Sequence, residues 1–151
     1  MADAEGLIIR DASAADLAGW RPLWDGYLSF YKTSLSEAVT AGTWARILDP
    51  MNPLRCRLAV SDGRLIGFSH HHTHLTTWDM RPTCYLEDLF VSPNVRGTGA
   101  GRALLDDLVA LGKQEDWASI YWITAESNVT AQSLYDRYNK RDEFYRYSIA
   151  L

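Results

Sequence analysis

The spacing of apolar and polar residues divides the chain into short strands and longer helices. Alternation and short apolar runs predict six strands, at residues 7–10, 57–61, 65–74, 85–91, 120–125 and 144–149. Apolar residues at three- and four-residue intervals predict four helices, over residues 13 to about 31, 34 to about 48, 99 to about 115 and 128 to about 138. This mixed order predicts an α/β fold whose sheet has both parallel and antiparallel pairs.

Length and composition indicate which kind of protein has this fold. A chain of 151 residues with 47% hydrophobic and 23% charged residues is typical of one soluble globular domain. A net charge of −4 argues against a nucleic-acid partner. No apolar run reaches the ~20 residues that span a membrane, and the acidic start, residues 1–5, does not resemble a signal peptide. Cys56 and Cys84 form no C-x-x-C pair, so we expect reduced thiols and a cytoplasmic protein.

A glycine-rich loop follows the strand at 85–91 and leads into the helix that starts near Gly99. Its residues are Arg96, Gly97, Thr98, Gly99, Ala100 and Gly101. A helix N-terminus offers about four unpaired N–H groups and a partial positive charge, and glycines let a phosphate approach that backbone. Arg96 adds a cation suited to phosphate oxygens. The loop therefore indicates a phosphate-binding turn.

Other interpretations of this loop are weaker but remain open at this point. A Rossmann site requires G-x-G-x-x-G after an early strand, whereas the third glycine here is misplaced and the loop lies late in the chain. A Walker A loop requires Gly-Lys-Ser or Gly-Lys-Thr, which the sequence lacks. A glycine-rich turn without any ligand is the third alternative.

Three segments taken together narrow these alternatives. They are YLEDLFV at residues 85–91, VSPNVRGTGAG at 91–101 and NVTAQSLY at 128–135, with further matches at 26–31, 43–44, 120–124 and 126–128. The chain resembles the GNAT superfamily of N-acetyltransferases, in particular the yeast histone and polyamine acetyltransferases and their bacterial relatives. The family usually follows its tyrosine helix with Gly-Phe or Gly-Tyr, whereas Tyr138, Asn139 and Lys140 stand here.

The resemblance implies one GNAT acetyltransferase domain over residues 1–151, with a mixed, splayed central sheet flanked by helices. It implies acetyl-CoA as co-substrate, no metal and a homodimer, which the aromatic content also suits. It assigns Glu87 as the catalytic base and Tyr135 as the acid that meets the CoA sulfur. The implied cofactor-binding residues are Leu89, Phe90, Val91, Arg96, Gly97, Thr98, Gly99, Ala100, Gly101, Asn128 and Tyr135.

These roles compete with structural ones. Glu87 could be a surface or ion-paired carboxylate, Tyr135 a core aromatic, and Asn128 is first of all a helix N-cap. Strand alternation places Glu87 and Asp88 on opposite faces, so we expect at most one of them to face a given cleft.

The acceptor side is less defined by sequence. Tyr27, Tyr31 and Trp78 are candidates for substrate binding beside Glu87 because aromatic faces attract cations, with core packing as the alternative. His70, His72 and His74 share one face of a predicted strand. A zinc site, a substrate contact or a plain polar face would each explain them.

The predicted function is transfer of an acetyl group from acetyl-CoA to a primary amine, such as a polyamine or a lysine side chain, by direct attack in a ternary complex. A non-catalytic acyl-CoA sensor is the alternative, and a Rossmann or flavin protein is a third. The identity of the amine stays open, since many substrates present the same group.

Overall fold

The computed structural model describes residues 6–95 and 97–151. Five strands form one sheet in the order β1-β2-β3-β4-β5, and they are Leu7–Asp11 (β1), Arg55–Ser61 (β2), Arg64–His74 (β3), Thr83–Val91 (β4) and Ser119–Tyr121 (β5). The first four strands pair antiparallel and β5 pairs parallel with β4. The mixed sheet predicted from the sequence is therefore confirmed.

Four helices cover the sheet. They are Leu17–Phe30 (α1), Glu37–Leu48 (α2), Ala100–Gln114 (α3) and Val129–Tyr135 (α4), and short 3-10 turns form at Ala14–Asp16 and Pro93–Val95. Along the described parts of the chain, no helix is long and apolar enough to cross a bilayer.

The core has one layer on each face of the sheet. Trp20, Trp24 and Leu28 of α1 pack with Phe68 and other residues on one face. Leu104, Leu105 and Leu108 of α3 pack on the other. The alternation of strand side chains therefore decides which strand residues face α1 and which face α3.

Local sequence signals explain several junctions. Asp62 and Gly63 connect β2 and β3, and both have positive φ (50° and 72°), which is the geometry of a tight hairpin turn. Helix α2 begins later than the predicted residue 34, because Ser36 is its N-cap and accepts the hydrogen bond from the Val39 N–H.

The prediction of a final strand at residues 144–149 is wrong for the single chain, because no strand forms after α4 within the described residues. A strand needs a neighbour to satisfy its N–H and C=O groups, and β5 ends after only three residues instead of reaching 125. The apolar side chains of this segment are instead exposed: Phe144, Tyr145, Tyr147, Ile149 and Leu151.

Candidate functional site

The sheet opens between β4 and β5. The two strands pair only from Thr83 with Ser119 to Tyr85 with Tyr121, whereas β4 continues to Val91. On its other edge β4 stays paired with β3, as far as Gly67 opposite Val91. In the described part of the chain, no strand pairs with the outer edge of β4 beyond Tyr85. The main chain of Leu89, Phe90 and Val91 therefore lies where an extended ligand could pair with it.

This open edge leads directly to the glycine loop. Gly97 and Gly99 have φ values of 86° and 80°, a left-handed conformation that glycine adopts without strain. Gly99 is the N-cap of α3 and has no side chain that could cap the helix, and the first N–H groups of a helix lack intrahelical partners. Thr98 Oγ1 donates to the Val95 carbonyl at 2.8 Å, which holds the loop in place. Arg96, the predicted cationic residue, lies outside the described residues.

Asn128 and Tyr135 lie at the two ends of α4. Asn128 is the N-cap, as predicted, and its side chain accepts from the Ala131 N–H at 3.4 Å. The Tyr135 ring packs edge-on against Trp122 with 5.3 Å between ring centroids. Burial raises the pKa of Tyr135 to about 12, so its hydroxyl keeps its proton at neutral pH. A buried phenol in this state can donate a proton but is a poor base.

A bulge in β4 changes the expected directions of Glu87 and Asp88. His70 pairs with Asp88 and His71 with Leu86, so Glu87 is an extra residue in the ladder. Leu86 and Leu89 both pack in the cluster on the α3 face. The two carboxylates between them both face α1, and the prediction of opposite faces is wrong. Beta-bulges often re-aim side chains next to active sites in this way.

Two of the candidates for binding the acceptor amine, Tyr27 and Tyr31, lie on the same side of the sheet as Glu87 and Asp88. Burial is the main cause of a raised pKa at Tyr27, and Asp88, Tyr31 and Glu87 add to it at close range. Tyr31 also contributes to the raised pKa of Tyr135. The Tyr27 and Tyr31 rings lie 5.0 Å apart between centroids. Glu87 is near enough to Tyr27, and Tyr31 near enough to Tyr135, to raise the pKa of the neighbouring phenol.

Trp78 is the remaining acceptor candidate. It is 91% exposed and lies in the connection between β3 and β4. Its exposure does not suit the alternative of core packing.

His70, His72 and His74 of β3 lie on one face of the sheet, the face toward α1, as the alternation predicts. His70 lies 2.9 Å from Asp88, His72 Nε2 lies 3.8 Å from a Glu87 oxygen, and His74 Nε2 lies 2.8 Å from the Tyr121 hydroxyl. Each histidine thus has a different partner. Over residues 6–95 and 97–151, no cluster of three or more His, Cys, Asp or Glu side chains is arranged to hold a metal ion.

The sequence assigns a role to Glu87 and none to Asp88. Asp88 is nevertheless the less exposed of the two carboxylates, with a side chain 13% exposed against 46% for Glu87. The signal that identifies it is its pairing with His70 across the β3–β4 ladder. That pairing depends on the bulge, which has no local sequence signature.

Comparisons with known proteins match this architecture. The family described as "Acetyltransferase (GNAT) family" matches residues 20–139. D-amino-acid N-acetyltransferase HPA3 of Saccharomyces cerevisiae is 32% identical over 133 residues, covering 87% of this chain and 83% of that protein. The crystal structure of a probable acetyltransferase has a TM-score of 0.84 at 21% identity and covers 95% of this chain and 97% of that one. Aminoglycoside N-acetyltransferase AAC(6')-Iy in complex with CoA has a TM-score of 0.75 at 22% identity, with 95% of each chain covered.

Proposed function

We propose, from the premise that the chain belongs to the acetyltransferase (GNAT) family, that it transfers an acetyl group from acetyl-CoA to a primary amine. One observation carries the proposal: the unpaired outer edge of β4 runs from the Glu87 carboxylate to the glycine loop at the start of α3. An acyl donor with a long polar arm and a pyrophosphate fits such an arrangement. Family membership gives the reaction class, and the site residues below are proposals.

The donor would be held by three parts of the chain. The main chain of Leu89, Phe90 and Val91 would pair with the amides of the pantetheine arm. The pyrophosphate would lie on the loop of Arg96, Gly97, Thr98, Gly99, Ala100 and Gly101, where α3 presents free N–H groups. Asn128 would contact the arm from α4. A structural neighbour bound to CoA, AAC(6')-Iy, supports this type of donor.

Two side chains would carry the proton transfers. The bound ammonium first loses one proton to solvent, which frees the lone pair of its nitrogen. Glu87 then accepts the second proton as this nitrogen bonds to the acetyl carbonyl carbon. Tyr135 gives its hydroxyl proton to the sulfur as the C–S bond breaks, so that the products are an amide and a free thiol. The raised pKa of Tyr135, about 12, supports the acid role, because the residue holds its proton until the thiolate develops. No acyl-enzyme is formed in this direct attack.

The acceptor would be a cationic amine. Glu87 and Asp88 provide negative charge on the α1 face, and Tyr27 and Tyr31 provide aromatic surface beside them. Trp78 in the exposed connection would cover the amine's far end. The relative from Saccharomyces cerevisiae is named for D-amino acids, so that class belongs with polyamines and lysine side chains among the candidates.

The reaction is tested by following thiol release from acetyl-CoA with a polyamine, a D-amino acid, an aminoglycoside and a lysine peptide. We expect at least one amine to accelerate release, with the acetylated amine confirmed by mass spectrometry. Binding of CoA without turnover on any amine would favour a sensor and contradict the proposal.

We also propose a homodimer in which the C-terminal segment of one copy covers the other. From Tyr145 to Leu151 the segment alternates large apolar residues with the polar or small residues Arg146, Ser148 and Ala150, the pattern of a strand with one buried face. Its apolar side chains are not covered within one chain, since Tyr147 is 93% and Ile149 is 88% exposed. Burying such a side chain contributes roughly 1.5–3 kcal/mol, so a two-fold exchange of this segment between copies would be stabilising.

Replacing Ile149 with aspartate is expected to convert the dimer to a monomer, because a charge would enter the apolar face of the segment. Light scattering after size-exclusion chromatography should show a halved mass. The matched control is Ser148→Asp, which adds the same charge to the opposite face and should leave the dimer intact. A monomeric unmodified protein, or equal masses for both variants, would contradict this assembly.

The cytoplasm is the proposed location. Cys56 and Cys84 are both unbridged and buried, and burial raises the pKa of each thiol. Such cysteines behave as small apolar residues and require no oxidising environment.

A further inference from the structure

Three side chains joined by hydrogen bonds connect the core to the candidate site. The Trp20 indole N–H donates to His70 Nε2 at 3.1 Å, and His70 Nδ1 lies 2.9 Å from Asp88 Oδ2. Trp20 has no exposed surface and His70 is 1% exposed. This hydrogen-bonded series therefore begins in the buried aromatic layer and ends at the Asp88 carboxylate.

The hydrogen bonds fix the state of His70. An indole nitrogen is only a donor, so His70 Nε2 must be the acceptor and carries no proton. The proton of the neutral ring is then on Nδ1, which donates to the Asp88 carboxylate. Protonation of Nε2 would break the bond to Trp20 and place a cation among the rings of Phe68 and Trp24. His70 is thus held as a neutral donor aimed at Asp88.

The hydrogen bond from His70 still allows Asp88 to bind a cation. The imidazole occupies one oxygen and fixes the orientation of the carboxylate, but a neutral imidazole does not cancel its charge. The Tyr27 hydroxyl lies within hydrogen-bonding range of the same carboxylate, while its ring stacks on Trp24. The side chain of Asp88 is 13% exposed, so a ligand can still reach it. Glu87 is its neighbour on the same face, because of the bulge in β4.

We infer that Asp88 binds the ammonium group of the acceptor amine and that His70 is the positioning residue that aims this carboxylate. The inference rests on the proposed amine acetylation. The two adjacent carboxylates then have different roles: Asp88 binds the ammonium group, and Glu87 accepts a proton from its nitrogen. Alkylammonium ions are the class of ligand that an oriented carboxylate beside a tyrosine ring recognises.

Asp88→Asn tests the anchor. The asparagine oxygen still accepts from His70, so the fold keeps its hydrogen bond while the charge is lost. We expect the KM for the amine to rise about 10- to 100-fold, with the KM for acetyl-CoA unchanged and kcat within about threefold. The matched control is Asp62→Asn, which removes the same charge at a hairpin turn far from the site and should leave both KM values unchanged. An unchanged amine KM in Asp88→Asn would overturn the inference.

Two substitutions at His70 separate positioning from packing. Asparagine can place an N–H near the position of Nδ1 and so preserves the bond to Asp88, whereas glutamine reaches the position of Nε2 and preserves the bond to Trp20 instead. Both remove the ring, so both lower stability. We expect His70→Gln to raise the amine KM about tenfold and His70→Asn to recover most of that loss. Equal KM values in the two variants would show a packing role only.

Binding of an alkylammonium ion at Asp88 can be measured without acetyl transfer. In ¹⁵N NMR spectra of the full chain, n-butylammonium should shift the Trp20 indole N–H and His70 signals, and n-butanol at the same concentration should not. Asp88→Asn should abolish the shift. Failure of thiol release with all amines refutes the acetyl transfer, whereas absence of this shift refutes the ammonium site, so the two failures are distinguishable.

Discussion

Tyr135→Phe should lower kcat for acetyl transfer about 100-fold, because the departing thiolate would lose its proton donor. Only the hydroxyl oxygen is removed, so the ring keeps its edge-on contact with Trp122 and the fold should be retained. Steady-state kinetics at saturating acetyl-CoA would measure the loss. The pH profile gives a second test: with a pKa of about 12 for Tyr135, activity should show no alkaline decline from this residue between pH 7 and about pH 10.

Tyr138→Phe is the matched control for that experiment. Tyr138 follows α4 by one turn, and its pKa is also raised to about 12, by burial and by a hydrogen bond to Asp106. It points to α3 rather than toward the open edge of β4, since its hydroxyl also bonds the Arg102 carbonyl. We expect a loss of about 1 kcal/mol of stability and little change in kcat. Equal kcat values for the two variants would remove Tyr135 from the mechanism.

Glu87→Gln should lower kcat about 100-fold with a small effect on the KM for the amine, since the amide cannot accept the proton. The opposite pattern is expected at Asp88, where KM rather than kcat should change. Glu115→Gln is the control, because Glu115 is an exposed carboxylate at the far end of α3. A loss of less than tenfold in Glu87→Gln would assign the proton transfer to another group or to water.

The donor side of the site could be predicted from sequence because its determinants are local. A strand, a glycine loop and a helix follow each other directly, and Gly97, Gly99 and the Asn128 cap behave as their residue types suggest. Such features depend on backbone conformations that one or two residues set. They need no knowledge of how the rest of the chain packs.

The acceptor side could not be predicted in the same way. The bulge at Glu87 is set by tertiary packing, because Leu86 and Leu89 must both reach the α3 layer. The bond between Trp20 and His70 joins residues fifty positions apart and follows from how α1 packs on β3. The final strand was predicted from a real alternation, but alternation gives only a tendency, and its partner is absent from the single chain.

The bulge also determines how this region tolerates changes in length. A deletion of one residue at position 87 would restore a regular β3–β4 ladder in which Asp88 still pairs with His70 and Leu86 and Leu89 still face α3, so that only the Glu87 carboxylate is lost. A deletion elsewhere in β4 would instead change the face of the residues on one side of it, because the period of a strand is two. Within β4, the fold should therefore tolerate a one-residue deletion best at position 87, where the residue removed is the proposed catalytic base.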